Sequence, residues 1–242
     1  MNRLLRFSVI AFAAVLAMVL ALLALPGGDR RLRDRALARR QLALRVLGDH
    51  LASRMPGARV LVIGNPFARL PGQSPEVYSF QETALKGLKT GAGNRLLLTG
   101  VDYPDLNPAA ARDPSSLPLP ADASTPLSFL CVDRAWDALL ARHPGTDLIV
   151  SLIGLPVDLQ QHEMWRAPKP KLALLLPDFR VLGDVEATMA AFRSGKIVAA
   201  VLNHPAAPPE SEASLRKPLS EFERRFLLVT AENCELVLRM LY

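Results

Sequence analysis

The sequence lacks the short motifs that mark common catalytic and nucleotide-binding sites. There is no Gly-x-Gly-x-x-Gly after a strand, no Walker-type Gly-x-x-x-x-Gly-Lys-Ser/Thr and no Gly-x-Ser-x-Gly elbow. His162-Glu163 begins a zincin-like pattern, but residue 166 is arginine where the second histidine ligand would stand. The four histidines are scattered, at residues 50, 143, 162 and 204. We therefore predict no catalytic residue, no metal and no cofactor, and favour a protein that is not an enzyme.

The main part of the chain has no excess of positive charge. The chain contains 29 basic and 23 acidic residues, and its first 40 residues hold eight of the arginines and two of the aspartates. The remaining residues therefore carry 21 side chains of each sign. A domain that neutralises phosphates would carry its excess on the folded part, so we exclude nucleic acid as a partner. We expect the arginines at 30–40 to contact anionic lipid headgroups.

One long apolar run is present, at residues 7–25. Its nineteen residues include Ser8 as the only polar side chain. As a helix the run would be roughly 28 Å long, close to the ~30 Å hydrocarbon core of a bilayer. The apolar region of a signal peptide is shorter, about 7–15 residues. We predict a membrane anchor within residues 1–28, with a removed signal peptide as the alternative.

Two features of the N-terminal segment disagree on orientation. The arginines that follow the anchor outnumber those before it, which by the positive-inside rule favours a cytoplasmic C-terminal domain. A short basic segment ahead of an apolar run is instead typical of an export signal. Cys131 and Cys234 do not decide the compartment, because they could form one disulfide or stay as two buried thiols.

Residues 29–56 form a second segment, a basic amphipathic helix. Apolar residues recur at helical spacing, and Pro56-Gly57 ends the pattern. This helix either packs on the following domain or continues the anchor as a stalk that pairs in a homodimer. We favour packing for its second half, Gln41 to Met55.

Residues 57–242 alternate between strand-like and helical patterns and predict a single α/β domain. Five apolar runs each stop at a proline, and FLLVT, residues 226–230, is a candidate sixth strand. Nearly continuous apolar strands are typical of a parallel sheet covered by helices on both faces, so we predict a doubly wound, mainly parallel sheet. Residues 104–125 are expected to cross the surface, and residues 127–143 to form one helix.

Polar residues cluster where the predicted strands end. In an open parallel sheet the ligand crevice lies beyond the carboxyl ends of the strands. We predict a non-catalytic site for a small polar ligand there, and expect replacement of Asn65 or Asp178 to weaken binding. The alternative is that these side chains only cap turns. The candidate residues at strand ends are Asn65, Asp102, Asp158, Asp178, Asn203 and His204.

The loop at residues 157–171 joins the third and fourth strands and adds Trp165 to the candidates. Its glutamines, His162, Trp165 and Arg166 could stack on and hydrogen-bond a sugar-like ligand. The alternative is a one-turn helix that covers the sheet with Met164 and Trp165 buried. The sequence favours neither interpretation over the other.

The runs TDLIVSLIGLP and PKLALLLPD resemble the third and fourth strands of a type I periplasmic-binding-protein lobe. The resemblance covers roughly residues 58–205 and rests on the order of the strands and on the residues that end them. A complete member of that family has two lobes, whereas this chain has room for about one. The resemblance implies an exported domain, and we therefore expect the globular part on the extracytoplasmic side of the membrane.

Two function classes fit these observations. The first is a membrane-tethered domain that binds a small polar ligand at the strand ends without catalysis. The second is a structural or protein-interaction component of a membrane complex. An α/β enzyme without familiar motifs is the third interpretation.

Overall fold

Six strands form one mixed sheet in the computed structural model, which describes residues 26–118, 126–209 and 217–241. The spatial order is β2-β1-β3-β4-β5-β6. The first five strands are parallel, and β6 pairs antiparallel with β5. The predicted α/β class and mainly parallel sheet are thus confirmed. The strands are β1 Arg59–Ile63, β2 Leu97–Asp102, β3 Leu148–Ser151, β4 Lys171–Leu175, β5 Ile197–Asn203 and β6 Phe226–Thr230.

The connections between these strands contain α-helices and short 3-10 helices. The α-helices are α1 Pro26–Arg54, α2 Pro75–Ala92, α3 Pro108–Arg112, α4 Pro126–Phe129, α5 Ala135–Ala141, α6 Glu163–Arg166, α7 Val185–Arg193, α8 Pro218–Arg225 and α9 Cys234–Leu241. The 3-10 helices are Pro66–Arg69, Pro114–Ser116, Leu159–Gln161 and Phe179–Leu182. None of the helices in the described ranges is long and apolar enough to cross a membrane. The predicted anchor, residues 7–25, lies outside those ranges.

Two apolar clusters lie on opposite faces of the sheet, because successive side chains of a strand point to opposite sides. On one face α1, α2 and α8 cover the strands, with Leu47, Leu88 and Phe222 in the cluster. On the other face α5, α7 and α9 contribute Trp136, Phe192 and Leu238. The central strands are therefore apolar on both faces. Edge strand β2 departs from this pattern.

Helix α1 packs against the sheet through its second half, as expected for residues 41–55. Leu44, Leu47 and Leu51 are fully buried in the cluster that α1 shares with α2. The two helix backbones approach each other so closely that a Cβ on Gly91 would lie 1.9 Å from the carbonyl oxygen of Arg45. This contact needs a residue without a side chain. Pairing of this helix as a stalk in a homodimer therefore stays a prediction, and only for residues 29–40.

The single helix expected at residues 127–143 is wrong, because the chain breaks between α4 and α5. Cys131 pairs with Leu106 in an isolated β-bridge, and Arg134 adopts a left-handed conformation with φ 56°. The Arg134 amide donates to the Asp158 carboxylate at 2.7 Å. A tertiary acceptor thus replaces the helical one, and Ala138 is exposed.

Two further differences concern segments with weak patterns. Within residues 104–125, expected as a surface crossing, α3 places Ala110 in a small buried cluster with Phe67 and Leu130. The C-terminal helix α9 was not predicted, although it buries Val237 and Leu238 against the sheet. Both elements are short, so their sequence periodicity is brief. Their burial depends on the sheet that they cover.

Candidate functional site

Two cavities of about 300 and 360 Å³ lie side by side at the carboxyl ends of β1, β3, β4 and β5. They share Arg40 and Phe80, and we call them together the edge groove. The smaller cavity is lined by Arg40, Asn65, Glu76, Val77, Phe80, Gln81, Leu127, Leu152 and Ile153. The larger is lined by Ala36, Arg39, Arg40, Ala43, Phe80, Leu175, Leu176, Asn203, Ala207, Pro208, Pro209, Arg225 and Phe226.

The smaller cavity lies where the strand order reverses. Strand β1 lies between β2 and β3, so the connections leaving β1 and β3 diverge above the sheet. Ligands of open α/β sheets bind at such a switch point. Asn65 follows β1, and Leu152 and Ile153 follow β3. Neighbouring strand ends therefore supply both polar and apolar lining.

Arg40 of α1 reaches across the strand ends between the two cavities. Its Nε donates to the Phe80 carbonyl oxygen at 3.0 Å, and its Nη2 lies 3.5 Å from the Leu152 carbonyl oxygen. The guanidinium carbon is 5.8 Å from the centre of the Phe80 ring. Burial lowers the pKa of Arg40 from its ordinary value to about 10, so the group is still charged at neutral pH. No carboxylate among the described residues pairs with it.

Gln81 of α2 is one of the residues that line the smaller cavity. Its Nε2 donates to the Tyr103 hydroxyl, whereas its Oε1 is buried and has no hydrogen-bond partner among the described residues. A Cβ on Gly64 would lie 2.7 Å from that oxygen, so glycine leaves the space that the amide occupies. A buried carbonyl oxygen without a donor costs free energy, and a ligand hydroxyl would satisfy it.

Asn65 both caps a turn and lines the smaller cavity, whereas the sequence left capping and ligand binding as alternatives. Its Oδ1 accepts from the Phe67 amide at 3.0 Å and caps the 3-10 helix that starts at Pro66. Its side-chain nitrogen has no protein acceptor in the described part of the chain, and the residue lines the smaller cavity. Asn65 can therefore cap a turn with one end of its amide and donate to a ligand with the other.

A buried ion pair supports the wall of the larger cavity. Arg225 pairs with Glu221, and both side chains are almost completely buried. Arg225 also donates to the carbonyl oxygens of Pro208 and Pro209, at 2.9 and 3.1 Å. These bonds fix the loop that follows β5. The Arg225 guanidinium is therefore already fully engaged in holding the loop.

At the end of β5 the structure separates two of the predicted site residues. Asn203 is exposed, lines the larger cavity and has no side-chain hydrogen bond within the described residues. His204 instead folds the turn that follows. Its Nδ1 accepts from the Ala206 amide at 3.1 Å, and its own amide donates to the Arg225 carbonyl oxygen at 2.8 Å. Asn203 is available to a ligand, whereas the His204 ring already has a partner.

Asp102 lies outside the edge groove, in an ion cluster at edge strand β2. Its Oδ2 is 2.8 Å from His143 Nε2 and 3.0 Å from Arg142 Nη2, and its Oδ1 accepts from the Tyr103 amide. Burial by itself would raise the pKa of Asp102, but the Tyr103 amide, His143 and Arg142 outweigh it and hold the pKa below its ordinary value. These contacts explain the presence of the Asp102 carboxylate by a structural role at the end of β2.

The three other predicted site residues, Asp158, Trp165 and Asp178, lie on the side of the sheet that α5, α7 and α9 cover. Asp158 binds the buried His162 through Nε2 at 2.9 Å, while His162 Nδ1 lies 3.1 Å from Asp137 without hydrogen-bond alignment. Trp165 packs half-buried against the core beside Met164, which matches the covering-helix interpretation of this loop. Asp178 caps the 3-10 helix Phe179–Leu182 through the Arg180 amide. Of the predicted residues, Asn65 and Asn203 are among the described residues that line the edge groove, whereas Asp102 and Asp178 are not.

The sequence analysis missed Arg40, Phe80 and Gln81, which are central to the groove. Arg40 was grouped with the arginines expected to contact lipid, but it contacts Phe80 and Leu152. Arg33 from the same run pairs with Glu76 at 2.6 Å. Lipid contact stays a prediction for exposed members of the run such as Arg30 and Arg31. The detectable signal for Arg40 was its helical spacing, four residues after Ala36 and three before Ala43, which places it on the apolar face of α1.

The two cysteines are free thiols. Cys234 is buried and Cys131 half-buried. Burial, followed by the nearby charges of Asp158 and Asp105, raises the pKa of the Cys131 thiol to about 12. A thiol with that pKa is a poor nucleophile at neutral pH. In the ranges that the structure describes, no group of three or more His, Cys, Asp and Glu side chains is arranged to hold a metal.

No protein-family model and no curated protein sequence matches this chain. Solved structures similar to it include a periplasmic solute-binding protein from Actinobacillus succinogenes with bound D-allose (12% identity, 81% of this chain, 62% of that one, TM-score 0.43). An arabinose-binding protein from Geobacillus stearothermophilus is 10% identical over 82% of this chain and 62% of that one, with a TM-score of 0.42. A sugar-transport substrate-binding protein from Bordetella parapertussis is 14% identical over 81% of this chain and 57% of that one, with a TM-score of 0.41.

These likenesses agree with the resemblance to a type I periplasmic-binding-protein lobe that the sequence predicts. The chain spans about 60% of the length of the structures that it matches. At TM-scores below 0.5 the likeness assigns neither a ligand nor a binding residue to this chain.

Proposed function

We propose that this chain is a ligand-binding domain that takes a small, hydroxyl-rich molecule, such as a monosaccharide, into the edge groove without changing it chemically. The observation that carries the proposal is the set of polar groups in the edge groove that have no hydrogen-bond partner among the described residues. Gln81 offers a buried acceptor, and the side-chain nitrogens of Asn65 and Asn203 are donors. Mixed donors and acceptors suit hydroxyl groups, which both donate and accept.

The size and apolar lining of the groove support the same class of ligand. Cavities of about 300 and 360 Å³ lie at the lower end of the roughly 300–1,000 Å³ range of small-molecule sites. Phe80 and Ile153 supply apolar surface beside the polar groups. A sugar has both hydroxyl edges and apolar C–H faces. The site residues carry no nucleophile, which supports binding without reaction.

Ligand-dependent thermal stabilisation of the full chain in detergent tests this proposal. A panel of pentoses, hexoses and sugar acids is screened, since a ligand at 100 times its dissociation constant adds about 2.7 kcal/mol of stability. Asn203→Ala removes an exposed side chain without a protein hydrogen bond, so we expect unchanged folding and affinity lowered about three- to tenfold. Asn94→Ala, an exposed asparagine before β2, is the matched control and should bind like the parent.

Failure of the whole panel to stabilise the protein would contradict the ligand-binding proposal. In that case the protein-interaction interpretation gains support. Equal loss of affinity in Asn203→Ala and Asn94→Ala would show that the ligand does not bind in the edge groove.

We further propose that residues 7–25 anchor the domain in a membrane, with the groove on the extracytoplasmic side. The length of the apolar run supports the anchor, and the basic segment ahead of it supports export. The anchored protein should stay with membranes after alkaline carbonate washing, whereas a soluble chain beginning near Gly27 would contradict the anchor. A C-terminal reporter active only in the cytoplasm would contradict the orientation.

A further inference from the structure

The groove contains a cation, Arg40, that no carboxylate among the described residues neutralises. Arg40 uses Nε for the Phe80 carbonyl oxygen and Nη2 for a long contact with the Leu152 carbonyl oxygen. Among the described residues no acceptor lies within hydrogen-bond distance of its Nη1, and no carboxylate pairs with it. A partly buried charge is normally balanced by an opposite charge. Arg40 therefore has no partner of opposite charge among the described residues.

Two of the other charged groups of the groove have partners of opposite charge. Arg225 pairs with Glu221, and Glu76 pairs with Arg33 at 2.6 Å. Arg39 is buried and makes contacts of its own. The described residues that line the larger cavity include no acidic side chain. Within the described residues, the groove therefore has an excess of positive charge centred on Arg40.

We propose that the ligand of the edge groove is an acid, a sugar acid or similar polyhydroxy carboxylate whose carboxylate pairs with Arg40. This inference rests on the proposed function and specifies its ligand class. The carboxylate would lie between the two cavities, beside the Phe80 ring, and the hydroxyls would reach Gln81 and Asn65. Burial also leaves Arg40 with little water, as its lowered pKa indicates, so a carboxylate would replace lost hydration.

Paired titrations of the full chain in detergent test this inference. D-glucose is compared with D-glucuronate, and D-galactose with D-galacturonate, because each pair differs only at the terminal carbon. We expect the acid to bind at least about tenfold more tightly than its neutral partner, since hydrogen bonds to charged groups are the stronger ones. Arg40→Gln should abolish this preference and change the affinity for the neutral sugar less than about threefold.

Two variants make the result specific to Arg40. Arg45→Gln lies on the same helix, is exposed and makes the same change of charge, so it should keep the preference for the acid. Arg40→Lys keeps the charge and should retain part of the preference. The parent comparison alone decides the ligand class even if Arg40→Gln does not fold.

Each outcome is informative about one of the two proposals. Equal binding of acid and neutral sugar overturns the carboxylate inference and leaves the proposed function intact. A preference for the acid that persists in Arg40→Gln also overturns the inference, because the carboxylate would then pair elsewhere. Binding of neither class overturns both.

Discussion

Replacing Gly91 by alanine should destabilise the protein, because the backbones of α1 and α2 are in direct contact there. The new Cβ would lie 1.9 Å from the Arg45 carbonyl oxygen and 2.8 Å from the Asp49 amide nitrogen. Reaching an ordinary contact of 3.4 Å requires about 1.5 Å of local separation. Both neighbours are backbone atoms, so no side chain can rotate to relieve the overlap.

The expected magnitude combines two opposing effects. Overpacking in a core costs about 1–3 kcal/mol and occasionally more, and a clash between two backbones belongs at the upper end. Alanine in a helix interior gains about 1 kcal/mol over glycine. The net loss should therefore be about 2 kcal/mol, equivalent to a melting temperature lower by about 4–8 °C for a chain of this size.

Urea unfolding of the full chain in detergent measures this loss. Thr90→Ala is the matched control, since Thr90 is the exposed neighbour of Gly91 on the same helix and bonds only its own helix, at the Lys86 carbonyl oxygen. The control should stay within about 0.5 kcal/mol of the parent. A Gly91→Ala variant as stable as the parent would refute the close approach of α1 and α2.

Further changes separate capping from binding and test the charge and thiol states. Asn65→Ala should cost about 0.5–2 kcal/mol of stability through its lost cap and also weaken ligand binding, measured by urea unfolding and calorimetry. Asp178→Ala should show a similar stability loss with unchanged affinity, contrary to the expectation from sequence, because it does not line the groove. The pKa of Asp102 is lowered in the folded state, so its contribution is present above the ordinary aspartate pKa of about 3.9 and is lost as pH falls through the folded value. The melting temperature of the parent should therefore fall more steeply between about pH 5 and 3 than that of Asp102→Asn. Cys131 and Cys234 should resist iodoacetamide at pH 7 in the folded protein, and both should react once the protein is unfolded without a reducing agent. Intact-mass spectrometry counts the alkylated thiols, and a disulfide between the two cysteines would leave neither of them reactive.

The sheet could be predicted because burial on both faces leaves a strong pattern. Strands β3 and β4 are apolar at nearly every position, and the structure buries both sides of them. The bounds of edge strand β2 are less clear from the sequence, since Leu97 is largely exposed and the apolar pattern of the strand is weaker. Burial thus fixes central strands more clearly than edges.

The break between α4 and α5 could not be predicted from local sequence. The residues from Leu127 to His143 have good helical spacing, and nothing among them requires a left-handed residue at Arg134. The determinant is Asp158, more than twenty residues later, whose carboxylate accepts from the Arg134 amide. Contacts between distant segments override local preference in such cases.

Some residues of the edge groove could be predicted, for the same reason. The rule that ligands bind beyond strand ends identified Asn65 and Asn203, because both immediately follow or end a strand. Arg40 and Gln81 lie on flanking helices, and only the packing of α1 and α2 brings them to the strand ends. Asp102 ends β2 and Asp178 follows β4 closely, but local ion pairs and caps use their carboxylates. Chain position alone does not separate these cases.

A crystal structure of the full chain with the sugar or sugar acid that stabilises it most is the most direct test of the ligand-binding claim. We predict electron density in the edge groove, with a ligand hydroxyl bonded to Gln81 Oε1 and further contacts to the side chains of Asn65 and Arg40. A ligand bound at the β2 edge or on the opposite face of the sheet, with the groove left empty, would contradict the account.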